Sequence, residues 1–247
     1  MINESFDTPF QLEKTYNTRD LGGFPGKNEQ TTAYRRFVRS DAPSTISDKD
    51  LAALIAYPVQ TVIDLRGEGE TESEPSRLAR QPGVDYHNIS IIDFSGNGWE
   101  NSALQEAMGK SMGDFYIYML EYKKENLARV FKTIAEAAPD SCTFFNCTHG
   151  KDRTGIVAAI LLMLAGVSHA DIIDSYKLSY DYLRPIIDPI ISSLPAHMQH
   201  VLRSDEENMV LFLEYFTDKY NDNAAEYLLS IGLSPEEITA LENRLFR

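Results

Sequence analysis

The stretch Phe144-Phe145-Asn146-Cys147-Thr148-His149-Gly150-Lys151-Asp152-Arg153-Thr154-Gly155 decides how the chain is read. Cys142 to Asn146 is short, apolar and aromatic, which predicts a strand. Ile156 to Ala165 is almost wholly apolar and is closed by Gly166, which predicts a buried helix ended by glycine. A cysteine therefore stands at the carboxyl end of a strand. An arginine follows after a gap of five residues, and a helix begins there.

Each part has a chemical use. A thiolate is a strong nucleophile toward phosphorus, but a free cysteine, with a pKa of about 8.5, is mostly protonated at neutral pH. Beneath a helix start, the backbone N–H groups of Thr148 to Arg153 can point inward, and the helix dipole adds positive potential. Both favour the thiolate of Cys147. The same cradle suits the non-bridging oxygens of a phosphate. Arg153 returns over it and can grip two oxygens with its fork. Thr154 can hydrogen-bond the sulfur and help it leave, and Gly155 is expected to let the helix pack close to the strand. Thr148, His149, Gly150, Lys151 and Thr154 are thus the expected substrate-binding residues around Cys147 and Arg153. The bland alternative is a core cysteine beside a surface arginine. Arg-Thr-Gly at this spacing follows a given cysteine by chance about once in a thousand or less, from average residue usage. A Walker-type nucleotide loop is excluded, because Gly150-Lys151 is followed by Asp152 and no glycine sits five residues before Gly150. A sulfur-transfer enzyme is disfavoured, because Arg153-Thr154-Gly155 suits phosphate.

Outward from this segment the pattern is strand and helix in turn. Ser47-Asp48-Lys49-Asp50 before Leu51 is a capping-box start to a helix of about two turns. Val59 to Leu65 is β-branched and apolar and predicts a buried strand; Val84 to Ile89 alternates and predicts another. Arg66 to Pro82 is acidic and polar and reads as a loop with room for a short helix. Asp114 to Ala137 predicts one long amphipathic helix. After Gly166 the chain reads as helical: Ser168 to Tyr180, a stretch from Arg184 to Leu202 broken by Pro185, Pro189 and Pro195, then Asp205 to Tyr220. A last helix is capped by Ser234 with Pro235 at its first position. The expected fold is α/β, a mainly parallel central sheet with helices on both faces and a helical C-terminal portion over 168–247. One domain over 1–247 is expected, since nothing marks a linker.

The 247 residues carry a net charge of −14 and are 43% hydrophobic. That suffices for a sizeable core. It argues against nucleic-acid partners and anionic membranes, which reward surface Lys and Arg. No run reaches the roughly 18 apolar residues of a membrane span, so stable membrane insertion is not expected. Met1 to Asp7 has neither a basic nor an apolar leader segment, so no signal peptide is expected, with secretion of a processed chain as the open alternative. The two cysteines, Cys142 and Cys147, lie roughly 16 Å apart if both are on one strand, too far for a disulfide, and a reducing, cytoplasmic setting fits them. No cluster has metal-ligand spacing, and the chemistry needs neither metal nor cofactor.

Cys147-Thr148-His149-Gly150-Lys151-Asp152-Arg153-Thr154-Gly155 resembles the signature of the bacterial tyrosine and lipid phosphatases typified by secreted mycobacterial and listerial enzymes. Asn17 to Gly23, Phe37 to Ser40, Val62 to Arg66 and Ala225 to Ser234 are similar to further segments of that family. The resemblance implies a cysteine-phosphatase-like fold. It implies hydrolysis of phosphoric monoesters through a cysteinyl phosphate, with phosphorylated proteins and phosphoinositides as partners in a dual-specificity manner. One position departs: the family has histidine before the cysteine, and here Asn146 carries no charge. That feeds a second expectation, a weak phosphate-binding or scaffolding protein on the same fold.

A leaving oxygen needs a proton, and three aspartates compete. Asp152 ranks first, since the family pattern implies that its counterpart is needed. Asp93 ranks second, on a segment continuing through Gly96, Gly98 and Trp99. Asp64 ranks third, with a salt bridge to Arg66 the favoured reading. Lys151 is either a solvated lysine or the contact for a second phosphate of a polyanionic substrate. His149 faces the pocket mouth or solvent. Asn17, Arg19, Asp20, Arg39 and Ser40 are expected beneath the loop, holding it without reacting. Ile186, Ile190 and Met198 read as core, with a lid over the site as the alternative that the resemblance suggests.

Overall fold

The computed structural model describes residues 12–94 and 102–246. Five strands form one sheet in the order β1 (Arg19–Asp20), β2 (Phe37–Ser40), β5 (Cys142–Asn146), β3 (Val59–Asp64) and β4 (Asp85–Asn88). The β1–β2 pair is antiparallel, and β2–β5, β5–β3 and β3–β4 are parallel. The mainly parallel sheet is therefore as expected. The strand carrying Cys147 at its end lies between β2 and β3, so its backbone is paired along both edges.

Side-chain alternation divides the sheet into two faces. Val38, Val62, Cys142 and Phe144 point to a small core shared with Leu54 of α1 (Asp48–Ala56) and Leu78. Phe37, Ile63 and Phe145 point to a larger core, filled by the later helices. At its centre is α6 (Arg153–Leu164), every residue of which is buried. Each fully buried Leu or Ile contributes about 1.5–3 kcal/mol of transfer free energy, so the helix that starts at Arg153 is among the most firmly anchored elements. Ser47 caps α1 with the capping box read from the sequence. The polar stretch after β3 holds the short helix α2 (Glu68–Ser73).

Two helical expectations change. The run expected as one helix from Asp114 to Ala137 is two, α4 (Met112–Tyr122) and α5 (Lys124–Glu136), separated at Lys123, with α3 (Ser102–Lys110) before them. Glu121 anchors the break: it meets Lys219 at 2.6 Å, Lys124 at 3.1 Å and the Tyr220 hydroxyl at 2.7 Å. Burial alone would raise its pKa, but these donors outweigh burial and bring it to about 2. The bend lets α4 pack on α8 (Glu206–Tyr220) while α5 packs on α10 (Pro235–Phe246), with α9 (Ala224–Ser230) preceding the latter.

Conversely, α7 runs unbroken over His169–Ile191 through Pro185 and Pro189. Each proline removes one helical N–H, but Asp181 and Pro185, whose carbonyls lose those donors, are exposed, so water can take over. Asp188 accepts from Tyr180 (2.9 Å) and Arg184 (3.2 Å) and braces this stretch. The break comes afterwards, before a 3-10 segment over Ala196–Leu202. Ile190 and Met198, expected in the core, are 48% and 44% exposed. No described helix is long and apolar enough to cross a membrane.

Candidate active site

Cys147 directly follows β5 and is 2% exposed; the loop after it turns through Gly150 and enters α6 at Arg153. Gly150 has φ +65°, and a Cβ there would lie 2.4–2.5 Å from the backbone of Ser40 and Asp41. Glycine is required on both counts. The loop is also tied to the segment after β2 by Ala42 N–H, which donates to Thr148 O at 3.1 Å. Gly155 is less constrained than its reading suggested. A Cβ there would stand 3.7 Å from the side chains of Arg39 and Tyr176, an ordinary contact with side chains rather than with strand backbone.

Beneath the loop lies a buried polar layer. Asn17 Nδ2 donates to His149 O at 2.9 Å, and Arg39 Nη2 to Gly150 O at 2.9 Å. Arg19 donates to Asn17, and also to Ser175 O (2.8 Å) and Ser179 Oγ (3.1 Å) of α7. Ser40 Oγ lies 2.6 Å from Thr18 Oγ1. Asp41, which the sequence reading passed over, accepts from the N–H groups of Tyr16 (3.0 Å) and Asn17 (3.0 Å), and burial pushes its carboxyl pKa up. Bonds from charged donors such as Arg39 contribute about 1.5–3 kcal/mol each. The Asn17 and Arg39 bonds hold the His149 and Gly150 carbonyls toward this layer, and in a planar trans peptide the N–H lies opposite its C=O, which directs the N–H groups of Gly150 and Lys151 away from it. Asp20 does not join this layer; its carboxylate accepts from Gly22, Arg35 and the Tyr57 hydroxyl instead.

Arg153 is buried, with its charge supported from several sides. Burial works against the guanidinium, but Glu70, Cys147 and Asp152 outweigh it and raise its pKa. Nη1 donates to Glu70 Oε2 (2.6 Å) and Ile92 O (3.2 Å). Nη2 donates to Glu70 Oε1 (2.9 Å) and Thr148 Oγ1 (3.1 Å). The ring of Phe94 lies 5.3 Å from the guanidinium carbon, within cation–π range. Glu70 was not singled out from the sequence. Burial raises its pKa, but Arg153, the Thr148 hydroxyl and Gly67 N–H outweigh that and bring it to about 2. A carboxylate ionised this firmly does not supply a proton near neutral pH.

The three aspartates part company. Asp152 precedes α6 and accepts from the Tyr116 hydroxyl at 2.6 Å, and Tyr116 in turn lies 2.7 Å from the hydroxyl of Tyr176. Asp64 is fully buried and takes Arg66 Nη2 at 2.8 Å, Arg66 Nε at 2.9 Å and the Tyr86 hydroxyl at 3.0 Å, the ion pair favoured for it. Asp93 packs against Gly67 at the start of α2, where a Cβ on that glycine would lie 2.2 Å from its Oδ1. Ile92 and Phe94 on either side touch Arg153, so this segment does reach the site. Gly96, Gly98 and Trp99 lie outside the described residues.

Lys151 is neither solvated nor open to a second phosphate. It is 1% exposed, and its Nζ donates to Val201 O (2.6 Å) and Arg203 O (2.8 Å), with Asp152 at 3.3 Å. His149 is partly buried, and burial together with Lys151 lowers its pKa. The Thr154 hydroxyl is buried without a partner among the described residues, as is the side-chain amide of Asn146, at both its oxygen and its nitrogen. No group of three metal-ligating side chains occurs among the described residues.

Comparison with known proteins bears on this arrangement. A tyrosine-protein phosphatase of Nostoc commune is 38% identical over 171 residues, 65% of this chain and 56% of that protein. The triple specificity protein phosphatase PtpB of Mycobacterium tuberculosis is 27% identical over 201 residues, 69% of this chain and 69% of that protein. The chain thus spans little over half of the Nostoc relative. A sequence model described as the tyrosine phosphatase family matches residues 10–247, from before the polar layer to the last helix. The resemblance read from the loop therefore extends over nearly the whole sequence, and the chain belongs to the tyrosine phosphatase family.

Proposed function

We propose that the chain hydrolyses phosphate monoesters, with phosphotyrosine in proteins and phosphoinositides as substrate classes, through a phosphate carried on Cys147. The observation that carries this reading is the loop itself. A buried cysteine sits at its foot, its first and last residues are joined at 3.1 Å between Thr148 and Arg153, and it opens into the N-terminus of a wholly buried helix. Such a cradle stabilises the charge of a phosphoryl group in flight.

In the first step the Cys147 sulfur attacks phosphorus, an S–P bond forms, and the bond from phosphorus to the leaving oxygen breaks. That oxygen takes a proton from Asp152. In the second step a water oxygen attacks phosphorus, its proton passes to Asp152, and the S–P bond breaks. The Thr154 hydroxyl makes no hydrogen bond to the Cys147 sulfur in this structure, and being buried without a partner among the described residues it is free to turn to the departing thiolate. Asp93 is the alternative acid, since its neighbours touch Arg153. The connector from Ala196 to Arg203, whose carbonyls hold Lys151, is proposed as a lid over the loop.

A second reading, a phosphate-binding protein with little turnover, draws on Asn146. It is uncharged, and among the described residues neither polar atom of its side chain has a partner with which to support the loop. A turnover panel decides between the two. Phosphotyrosine peptide, phosphoserine peptide, phosphoinositides and inositol phosphates are offered at equal concentration. Release of phosphate from the phosphotyrosine peptide and a phosphoinositide supports the first reading. Phosphate binding without release from any of the four supports the second.

A further inference from the structure

Asp152 stands at the N-cap of α6, where an aspartate ordinarily accepts an N–H of its own helix's first turn. Its side chain makes no such bond. It turns instead to α4, where the Tyr116 hydroxyl meets Oδ1 at 2.6 Å. Lys151 Nζ faces the same oxygen at 3.3 Å. Oδ2 has no hydrogen-bond partner among the described residues, and the side chain is 19% exposed. One carboxylate oxygen is thus faced by two donor groups, and the other is left open.

Behind Tyr116 the donors run one way. Its hydroxyl lies 2.7 Å from that of Tyr176 on α7, and the two rings meet edge to face with centroids 5.9 Å apart. Asn208 of α8 is the next donor, to Tyr176; its Oδ1 is committed to Gly113 N–H at 3.2 Å, so the amide N–H is the group it offers. Both tyrosines are buried, and burial together with the charge of Asp152 pushes both phenols well above their usual pKa, so they stay protonated. An ionised carboxylate can only accept. Tyr116 therefore donates to Asp152, its oxygen accepts from Tyr176, and the Tyr176 oxygen accepts from Asn208. Reversing the first link would reverse the second and set the Tyr176 O–H against the N–H of Asn208.

We infer that Tyr116 is a positioning residue for Asp152: backed by Tyr176 and Asn208, it holds Oδ1 as a permanent acceptor, so that the proton exchanged with substrate and water is carried on Oδ2. The inference rests on the phosphatase reading above, with Asp152 as its acid. In the first step the Oδ2 proton passes to the leaving oxygen. In the second a proton of the attacking water returns to Oδ2 as the S–P bond breaks. The tyrosines give up no proton in either step. Fixing which oxygen carries the proton holds the acid in one orientation toward the loop, and orientation of this kind counts heavily in rate. A donor to the ionised carboxylate also favours that form, so Tyr116 bears on the pH above which the acid is lost.

The test follows kcat against pH for the full chain on phenyl phosphate, whose leaving oxygen needs a proton, and on para-nitrophenyl phosphate, whose leaving group departs unaided. The proteins are the wild type, Tyr116→Phe, Tyr176→Phe, Asp152→Asn and the double variant of Asp152→Asn with Tyr116→Phe. Asp152 is faced by His149, Lys151 and Arg153 of its own loop, by Tyr116 of α4 and by Tyr176 of α7, on which Asp205 before α8 also acts. Only Tyr116 changes in its Phe variant. Below the basic limb, Tyr116→Phe is expected to lose about tenfold on phenyl phosphate and little on para-nitrophenyl phosphate. Its basic limb should move up by about half a pH unit to one unit, because a carboxylate that loses a donor holds its proton to higher pH. Added to Asp152→Asn, Tyr116→Phe should cost nothing further. Tyr176→Phe leaves the Tyr116 hydroxyl on Asp152 and removes only its support. It should move the limb the same way by less, and it decides the question if Tyr116→Phe folds poorly. Equal losses on both substrates with an unmoved limb, or a limb that moves down, would overturn the role of Tyr116 while the phosphatase reading stands. So would a further loss in the double variant, or a wild type whose basic limb survives Asp152→Asn. A wild type without turnover of either substrate removes the phosphatase reading, and this inference with it.

Discussion

Asp152 accepts from Tyr116 beside the start of α6, whereas Asp64, fully buried, accepts from Arg66 and Tyr86. The difference gives a kinetic test. An acid matters most when the leaving group is a poor one and least for nitrophenolate, which departs unaided. Asp152→Asn is expected to reduce kcat on an alkyl phosphate by about a hundredfold or more while sparing para-nitrophenyl phosphate, and to lose the basic limb of the pH–rate profile. Asp64→Asn strands a buried guanidinium, a loss of about 3–5 kcal/mol, and should lower the unfolding temperature and both activities together. If Asp93→Asn shows the leaving-group dependence instead, the acid lies on the segment after Ile92. At this scale Cys147 and Arg153 were legible because a fixed spacing between two reactive residue types is rare. Glu70 was not, because Glu68, Glu70, Glu72 and Glu74 look alike in an acidic stretch. Its one local sign is the position three residues after Gly67, where a glutamate can close a helix's first turn.

The elements divide in the same way. Strands β3 and β5 and helix α6 were readable because their apolar runs report burial directly. Strand β2 was not, since Phe37-Val38-Arg39-Ser40 is short and contains an arginine. That arginine is buried because Gly150 O, not water, receives it. The α4–α5 break depends on Lys219 and Tyr220, far away in sequence, and no local pattern announces it. Lys151 misled for a related reason: its partners are backbone carbonyls of the connector after α7, which carry no sequence signature. The contact makes a prediction. Lys151→Met keeps most of the buried stem but removes two charge-assisted bonds, each worth about 1.5–3 kcal/mol. Amide hydrogen exchange over residues 196–203 should speed up by about tenfold or more, while β5 and α6 stay protected. Unchanged exchange in that connector would show that other packing holds it down.

The whole molecule sets an acidic background against a local cation site. With a net charge of −14, the long-range field repels an anionic substrate, so capture must come from the short-range donors of the loop and from Arg153. Arg153 is itself paired with Glu70, so the N–H groups of 148–153 and the N-terminus of α6 share with its guanidinium the task of meeting that charge. In the proposed mechanism the chemistry falls on one atom, the sulfur of Cys147. The direct measurement is a rapid denaturing quench during turnover of a phosphotyrosine peptide, followed by mass analysis of the proteolysed chain, for the wild type, Thr154→Ala and Cys147→Ser. The account predicts one phosphoryl group on the peptide that contains Cys147. It should accumulate further in Thr154→Ala, where the thiolate leaves more slowly. In Cys147→Ser it should be absent, and turnover abolished, because a serine hydroxyl stays protonated and is a far poorer nucleophile. Undiminished turnover by Cys147→Ser, or a phosphoryl group trapped on a different residue, would contradict it.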